Sequence, residues 1–476
     1  MSKRFKPQYL PYNYDARALV QTLAAELGLL LKGKTGAKHR AILSSFLFYA
    51  QSSDADTMIT WSGGTTSQDT TGFSFFPASG ALTIKAVRTR LVQASYLTEF
   101  DDLPSGLGDM SIKEAKALTG SDNKERIKQP KSYRLNTTMP LFRNPQFVSA
   151  VFVDAHRPYV MVNKPEEYTD KVERKAAGTK APKLSWKAVY EGKQKRRATT
   201  AAKPVKEMNA FWAKHPLVLP ATNTDRAQHF ACATRIFHNG SLISGGRWYF
   251  GFTNLESHKR LNMRIDDEPV CEIDLNGSQP TLFSSLFGMR MNVGDTWTDV
   301  YASVVDRLDA GEERTLLRMM VKQVIVEMLG SGNSNRSGPA STEPPKKPDE
   351  PQLFFDTDYS KQMYLQIQRE AVQVFPALEK LDTTYLNATG FLSYHESEIL
   401  TLTLLKLKAL GVVAYGVHDC VIVKQSDKAV AVETYRDIIR NYCLKHQRSN
   451  NFPSLGINVA VTIEQRDKVK LEGSYG

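Results

Sequence analysis

The sequence predicts an α+β fold of more than one domain. Its 476 residues are 41% apolar and 10% aromatic, which is enough to form sizeable hydrophobic cores. Two apolar runs have the composition of strands and lead into an aspartate: Asp274 follows V-C-E-I, and Asp419 follows V-V-A-Y-G-V-H. Long segments between and around these runs repeat their apolar residues with helical spacing. Strands and helices are therefore both expected.

The charge of the chain favours a polyanionic partner. The net charge is +12 and the isoelectric point is near 9.3, and clustered Lys and Arg gain free energy by releasing counterions from phosphates. An anionic membrane is the competing partner. However, no apolar run approaches the roughly 18 residues of a membrane span, and the N-terminus has no apolar signal-peptide core. The sequence therefore predicts a soluble, cytoplasmic protein with no membrane partner.

Residues 1–163 are predicted to form a mixed region of unassigned role. Helical spacing runs through 16–31, 41–49 and 85–100, and the strand-like run F-V-S-A-V-F-V precedes Asp154. The D-x-E carboxylate pair of a proofreading exonuclease is absent from this half of the sequence.

Residues 164–220 are predicted to form a basic arm or linker. The stretch from Lys164 to Glu207 carries thirteen Lys or Arg and six Asp or Glu. One interpretation is a solvated linker or helix face. The other is an arm that follows a nucleic-acid backbone, with Trp186 and Tyr190 as surfaces for base stacking.

Cations also mark the segment after residue 220. Gly245 and Gly246 permit a close backbone approach directly before Arg247, which suits a phosphate, although such a hairpin tip is also common without any ligand. Three further arginines are candidate nucleic-acid contacts: Arg235, Arg260 and Arg264.

Asp274 and Asp419 are candidate metal ligands because each follows a strand. Residues 411–424 have the pattern of a hairpin that displays His418 and Asp419 at its tip. A lone His-Asp pair is ordinarily a solvated turn. Two strand-end aspartates in one chain, however, are the donors that a two-metal site requires.

A cationic helix lies between the two aspartates. Arg314, Arg318 and Lys322 are four residues apart and so share one helical face. The face is either a solvated stripe or a row of cations along a triphosphate. Residues 331–351 contain no large apolar residue and are expected to form a mobile, disordered loop. Glu396 and Glu398 are expected in the first turn of a following helix, where the helix dipole favours them.

In this order the motifs resemble the palm and fingers of family A DNA polymerases and of single-subunit phage-type RNA polymerases. The resemblance covers roughly residues 231–424. It rests on Gly246-Arg247, on Asp274 in E-I-D-L-N-G-S-Q-P, on Arg318 and Lys322 in the Arg-x3-Lys spacing, and on His418-Asp419.

The resemblance implies a right-hand polymerase with an antiparallel-sheet palm, helical fingers and a mainly helical N-terminal or thumb region. The palm would comprise 221–300 and 396–476, the fingers 301–395, and 164–220 would form part of the thumb. The implied partners are a DNA primer-template, or an RNA one, and dNTPs or rNTPs.

The resemblance also implies roles for the candidate residues. Asp274 and Asp419 would hold two Mg²⁺ ions, with Mn²⁺ as the alternative, and His418 would orient the primer terminus. The triphosphate would meet Arg314, Arg318 and Lys322, while Arg247 would bind a template or primer phosphate.

Three departures bear on the product. Leu329-Gly330 stands where the family has an aromatic residue and glycine, and Cys420 follows His-Asp as a small residue does in the RNA polymerases. Gln279, the fifth residue after Asp274, is bulky enough to crowd a 2′-hydroxyl. The expected function is a DNA polymerase without proofreading, encoded by a phage or mobile element. The alternatives are an RNA polymerase or primase, template-independent terminal transfer, a two-metal nuclease, and a non-catalytic nucleic-acid-binding protein with a decayed palm.

Overall fold

The chain divides into two compact units that each mix helices and β-sheets. The first comprises Met1–Pro158 and Pro220–Cys232, and the second comprises Tyr159–Leu219 and Ala233–Gly476. This confirms the α+β class, and the pairs of strands are mainly antiparallel. The structure, a computed structural model, describes residues 2–4, 9–11, 14–51, 58–61, 80–100, 131–150, 152–154, 158–165, 170, 173–174, 177, 181–220, 228–293, 299–308, 313–345, 350–381, 388–455 and 461–465.

The elements are numbered along the chain. The strands are β1 (Ser2–Arg4), β2 (Tyr9–Pro11), β3 (Met58–Trp61), β4 (Leu97–Phe100), β5 (Lys131–Leu135), β6 (Phe152–Asp154), β7 (Val160–Val162), β8 (Leu217–Leu219), β9 (Gln228–Phe230), β10 (Thr234–Phe237), β11 (Gly245–Tyr249), β12 (Arg264–Ile265), β13 (Glu268–Leu275), β14 (Ala414–Val417), β15 (Cys420–Lys424) and β16 (Val461–Gln465). The helices are α1 (Tyr14–Glu26), α2 (Gly33–Gln51), α3 (Gly80–Gln93), α4 (Pro140–Arg143), α5 (Pro145–Ser149), α6 (Trp186–Tyr190), α7 (Lys195–Trp212), α8 (Ser257–Arg260), α9 (Ser278–Leu286), α10 (Ala302–Val305), α11 (Arg314–Ser331), α12 (Asp358–Val374), α13 (Ala388–Ala409) and α14 (Lys428–Ser449). Single 3₁₀ turns span Pro376–Lys380 and Gln425–Asp427.

The first unit contains a four-stranded sheet in the order β1-β3-β5-β4, with β1 and β3 parallel and the other neighbours antiparallel. Its helices bury Leu23, Phe46 and Leu91 in one hydrophobic core. The helix predicted over 85–100 ends at Gln93, because the chain then pairs with β5 as a strand. Tertiary pairing overrides the local helical spacing there.

The central sheet of the second unit is built around β13. β15 pairs antiparallel with Val270–Ile273, and β16 pairs antiparallel with Cys271–Leu275. β14 extends the sheet beyond β15, while β12 pairs with the start of β13 and with β8. Because β13 has neighbours on both edges and is covered on both faces, Cys271, Glu272 and Ile273 are all buried. The predicted hairpin over 411–424 is present as β14 and β15.

A smaller sheet of β11, β10 and β7 packs against α13. β10 is antiparallel to β11 and parallel to β7. Gly416 in β14 allows α13 to pack closely on the hairpin, since a Cβ there would lie 2.6 Å from Leu400 Cδ2. α13 therefore touches both sheets.

Helix α7 carries many of the cations of the predicted basic arm and is anchored by Trp212. The Trp212 indole is buried, donates from Nε1 to the Ala414 carbonyl at 2.7 Å and stacks on Tyr415 with ring centroids 5.0 Å apart. Trp248 packs edge-on against it at 5.6 Å. The helix is thus part of the second unit, on the β14 side of the central sheet.

The segment expected to be a mobile, disordered loop over 331–351 is instead hydrogen-bonded to two helices across its described residues. Arg336 donates from its backbone to Gln368 and from Nε to the Tyr364 hydroxyl, both at 3.0 Å. Glu327 accepts from the Ala340 backbone at 3.0 Å. Polar contacts to α11 and α12 replace the apolar core that the segment cannot form. Residues 346–349 lie outside the described residues.

Glu396 and Glu398 do not lie in the first turn of their helix, because α13 begins at Ala388. They are therefore too far along the helix to benefit from the dipole of its N-terminus.

None of the four cysteines, all of them described, forms a disulfide. In the described part of the chain, every helix is too short or too polar to cross a lipid bilayer.

Candidate active site

Asp274 and Asp419 lie at the same end of the central sheet. Asp274 is the second-last residue of β13, and Asp419 belongs to the two-residue turn between β14 and β15. Ile273 lies opposite Val421 in the antiparallel pair of β13 and β15, so both aspartates follow directly at that end. Strand register thus brings together two residues that are far apart in sequence.

The surroundings of Asp274 suit a bound cation. Burial, followed by the negative charges of Asp419 and Glu464, raises the pKa of Asp274 to about 7. Its Oδ1 atom is buried and accepts no hydrogen bond. A buried carboxylate oxygen without a donor is costly in free energy, and a cation would remove both this cost and the repulsion from Asp419.

Asp274 and Asp419 are the two carboxylates that would hold a divalent cation such as Mg²⁺ here. Mg²⁺ is held in many enzymes by one or two carboxylates together with substrate phosphates and water. Within the described residues, no group of three or more His, Cys, Asp or Glu side chains is arranged to hold a metal ion by itself. A metal held by Asp274 and Asp419 would therefore take its remaining ligands from outside the protein.

His418 forms the first half of the hairpin turn and faces the same site. Its φ of 58° is in the left-handed region, which is uncommon for a residue other than glycine and is often associated with function. Burial and then the charge of Arg247 lower the pKa of His418, with Asp419 opposing them, so the imidazole is mainly neutral at pH 7. Its Nδ1 is buried without a hydrogen-bond partner. The Tyr435 hydroxyl donates to the Asp419 carbonyl at 2.5 Å and fixes the turn.

Glu396 is a further carboxylate of the site, and its local sequence pattern does not assign it there. Its side chain is buried, accepts from Arg247 Nη2 at 2.5 Å and accepts from the Ser278 hydroxyl at 3.2 Å. Burial and then the charge of Asp419 raise the pKa of Glu396 to about 7, while Arg247 opposes them. One signal was available in the sequence: α13 has apolar residues around much of its circumference, which favours burial of a glutamate within it.

Arg247 is the one predicted nucleic-acid contact that lies in the site. It is on β11, within electrostatic reach of Asp419, and is oriented by Glu396. Its Nε is buried and has no hydrogen-bond partner. The guanidinium therefore keeps a donor for a further group.

Arg235 and Arg260 have structural partners. Arg235 is only 2% exposed and donates to the Gly246 carbonyl, the Ser397 hydroxyl and Glu398. Arg260 makes two hydrogen bonds to the buried Glu272, at 2.7 and 2.9 Å. Because Arg235 is buried and its Nε and Nη2 are engaged, its placement favours a structural role over the predicted phosphate contact. Arg264 is partly exposed and donates to the Asp267 carbonyl at 2.6 Å.

The predicted cationic helix is present as α11, and two of its cations are paired. Arg314 contacts Asp306 at 2.7 Å, and Arg318 contacts Asp299 at 2.5 Å. Lys322 is exposed and makes no ion pair with any described residue. Leu329, which stands at the expected aromatic position, is 1% exposed and contributes to the core.

The turn after Asp274 touches the segment that precedes α11. Gly277 has a φ of 53°, and a Cβ there would lie 2.2 Å from Val300 Cγ2, so no larger residue fits. Gln279 follows in the first turn of α9 and is partly exposed. Tyr301 is next to Val300, and the Arg318 guanidinium lies 5.5 Å from the centre of its ring. This segment connects the aspartates to the cations of α11.

Comparisons with known proteins give a distant structural likeness and no family. No protein-family model matches the chain, and no curated protein matches it. A solved structure described as the POL domain of Pol1 from M. smegmatis, in complex with DNA primer-template and dNTP, is similar with a TM-score of 0.29 and 10% sequence identity. The match covers 64% of this chain and 58% of that one, so this chain spans less than two thirds of its length. A TM-score of this size does not establish a shared fold.

Proposed function

We propose that the protein is a template-directed nucleotidyltransferase, and that it is a DNA polymerase without proofreading. The observation that carries the proposal is the pair formed by Asp274 and Asp419, with a buried, unpartnered oxygen on Asp274. The cations of α11 lie near the same turn: Val300 packs against Gly277 of that turn, and the guanidinium of Arg318 lies over the ring of the neighbouring Tyr301. Two carboxylates and a cationic helix are the parts that transfer of a nucleotide from a triphosphate requires.

Asp274 and Asp419 would hold two Mg²⁺ ions, with Mn²⁺ as the alternative. When bound, such ions activate the attacking 3′-hydroxyl and stabilise the leaving pyrophosphate. The fit rests on the carboxylates themselves, which repel each other and have no cationic partner at Asp274 Oδ1.

The remaining residues would bind and orient the substrates. Lys322 and Arg318 neutralise charge on the triphosphate, and Arg314, at the first turn of the same helix, extends the row. The primer end would be oriented by His418 and Arg247, which present a buried Nδ1 and a buried Nε without partners. Glu396 holds Arg247 in place for this contact.

The product depends on the sugar that the site accepts. Gln279 is five residues after Asp274 and partly exposed, and its bulk favours a deoxyribose by crowding a 2′-hydroxyl. An RNA polymerase or primase is the second candidate, and it is favoured by Cys420, a small buried residue directly after the His-Asp turn.

Extension of a labelled primer on a DNA template tests the proposal. The reactions contain Mg²⁺ with dNTPs or rNTPs, and they compare the wild type with Asp274→Asn, Asp419→Asn and the control Asp437→Asn, an exposed residue of α14. We expect extension with dNTPs that both site variants lose by at least a hundredfold and the control keeps.

Other outcomes would reject parts of the proposal. Extension with rNTPs alone, or without a primer, would assign the protein to the second candidate. A wild type that binds duplex with a steep salt dependence but extends nothing with Mg²⁺ or Mn²⁺ would identify a nucleic-acid-binding protein instead of a polymerase.

A further inference from the structure

Tyr301 lies between the candidate triphosphate cations and the two aspartates. Its neighbour Val300 contacts the turn that follows Asp274, and the Arg318 guanidinium lies over its ring, 5.5 Å from the centroid. Asp299 completes the arrangement, because it pairs with Arg318 and accepts from the Tyr301 backbone N–H at 3.2 Å. The ring and the Asp299 carboxylate together hold the guanidinium from two sides.

Among the described residues the Tyr301 hydroxyl has no hydrogen-bond partner, and the residue as a whole is 5% exposed. No described residue donates a hydrogen bond to it or accepts one from it. Two buried tyrosine hydroxyls of the same unit are engaged: Tyr364 bonds Glu327, and Tyr415 bonds the His215 carbonyl. Unlike the enclosed Nε of Arg247, the Tyr301 oxygen is reached by solvent, so a ligand group can take the place of that solvent.

The charges around this hydroxyl keep it protonated. Burial raises the pKa of Tyr301 above its usual value; Arg318 opposes this, and Asp419, Asp299 and Asp274 reinforce it. The hydroxyl is therefore a hydrogen-bond donor at any pH near neutrality. Asp419 and Asp274 both raise the pKa of Tyr301, so its hydroxyl lies within electrostatic reach of the two carboxylates.

Helix α11 provides no aromatic surface of its own. Its sequence R-T-L-L-R-M-M-V-K-Q-V-I-V-E-M-L-G-S contains no aromatic residue, and Leu329 is buried in the core. Tyr301 is the aromatic residue that the structure brings to the Arg318 side chain.

We propose that Tyr301 contacts the incoming nucleoside triphosphate: its ring supports Arg318, and its hydroxyl donates a hydrogen bond to the sugar–phosphate end of the nucleotide. The inference rests on the proposed function and adds a substrate-contacting residue to it. The sugar–phosphate end is favoured over the base because the group between the triphosphate cations and the aspartates is the reacting phosphate with its sugar. The contact is consequently independent of which base is incorporated.

Single-nucleotide incorporation tests this inference with Tyr301→Phe and Tyr301→Leu. Loss of a hydrogen bond to a charged phosphate weakens binding about tenfold. We expect Tyr301→Phe to raise the KM for all four nucleotides by about this factor, equally for each base, with the affinity for primer-template unchanged. Tyr301→Leu, which also removes the support of Arg318, is expected to raise KM further.

Tyr364→Phe is the matched control, since among the described residues its hydroxyl bonds only Arg336 and Glu327, which lie away from the two aspartates in sequence. Its KM should equal that of the wild type, and thermal unfolding of all three variants shows whether each is folded. If Tyr301→Phe keeps the wild-type KM while the wild type incorporates nucleotides, the hydroxyl contact is rejected and the proposed function stands. If the folded wild type incorporates nothing, the proposed function fails, and the inference fails with it.

Discussion

Arg247 donates to Glu396 at 2.5 Å although 149 positions separate them in the sequence. The contact joins β11 to α13 beside the turn that carries Asp419. A buried glutamate next to an aspartate is unfavourable by itself, since burial and the Asp419 charge both raise its pKa. The cation of Arg247 is what makes this arrangement tolerable.

Replacement of Glu396 should therefore affect both stability and primer binding. Glu396→Leu leaves a largely buried guanidinium unpaired, and we expect it to lower the free energy of unfolding by about 3 kcal/mol. Glu396→Gln keeps an acceptor for Arg247 and Ser278, so a smaller loss is expected. Urea denaturation measures the stability and a primer-template titration the affinity. Equal losses for Gln and Leu would show that the geometry of the acceptor is unimportant.

His395 should make the protein less stable in acid. It lies on α13 and faces α14: its Nδ1 shares a hydrogen bond with the Tyr442 hydroxyl at 2.7 Å, and its ring centroid is 4.8 Å from that of His446. Burial and then the charge of His446 lower its pKa to about 3. Between pH 3 and pH 6.5 the unfolded chain therefore binds the extra proton. The free energy of unfolding falls as pH decreases through this window, by up to about 1.4 kcal/mol per unit.

The variant His395→Gln separates this effect from other titrations. It is neutral at every pH, so its stability should fall less steeply than that of the wild type from pH 6.5 to pH 4.5. Asp274 and Glu396, whose pKa values are about 7, contribute the opposite slope in both proteins and cancel in the comparison. Urea denaturation at a series of pH values gives both curves. Parallel curves would mean that His395 is not buried in its neutral form.

Arg235 should be a stability residue and not a nucleic-acid contact. Because its charge is buried against Glu398 and Ser397, we expect Arg235→Ala to lower the free energy of unfolding by about 3 kcal/mol. The partly exposed Arg264→Ala should change it by less than about 0.5 kcal/mol. A salt titration of duplex affinity tests whether Arg235 contacts nucleic acid. A decrease of about one in the log–log salt slope for Arg235→Ala would restore its predicted phosphate contact.

The contrast between Arg235 and Arg247 shows which features of the site can be predicted from the sequence and which cannot. Local patterns were sufficient for the hairpin with Asp419, the strand before Asp274 and the cations of α11, because each depends on nearby residues. The two arginines look alike in sequence, yet Arg247 pairs opposite Ile236 and Arg235 opposite Trp248. Adjacent register positions point to opposite faces of a sheet, so long-range packing alone decides which arginine is buried. Glu396 and Tyr301 were not predicted to belong to the site, because long-range packing also places them there.

Asp299 should compete with the nucleotide for Arg318. Both side chains are partly exposed, so their ion pair contributes little stability, but it neutralises a cation that the triphosphate would use. Asp299→Asn keeps the oxygen that accepts from the Tyr301 backbone N–H and removes only the charge. We expect the KM for the incoming nucleotide to fall about threefold, since an exposed ion pair is worth roughly 0.2–1 kcal/mol.

Asp306→Asn is the matched control for Asp299→Asn, because it releases the more exposed Arg314. Its effect should be smaller, and both effects should shrink at high ionic strength. A higher KM for Asp299→Asn would mean that the carboxylate positions Arg318 for the substrate instead of competing with it.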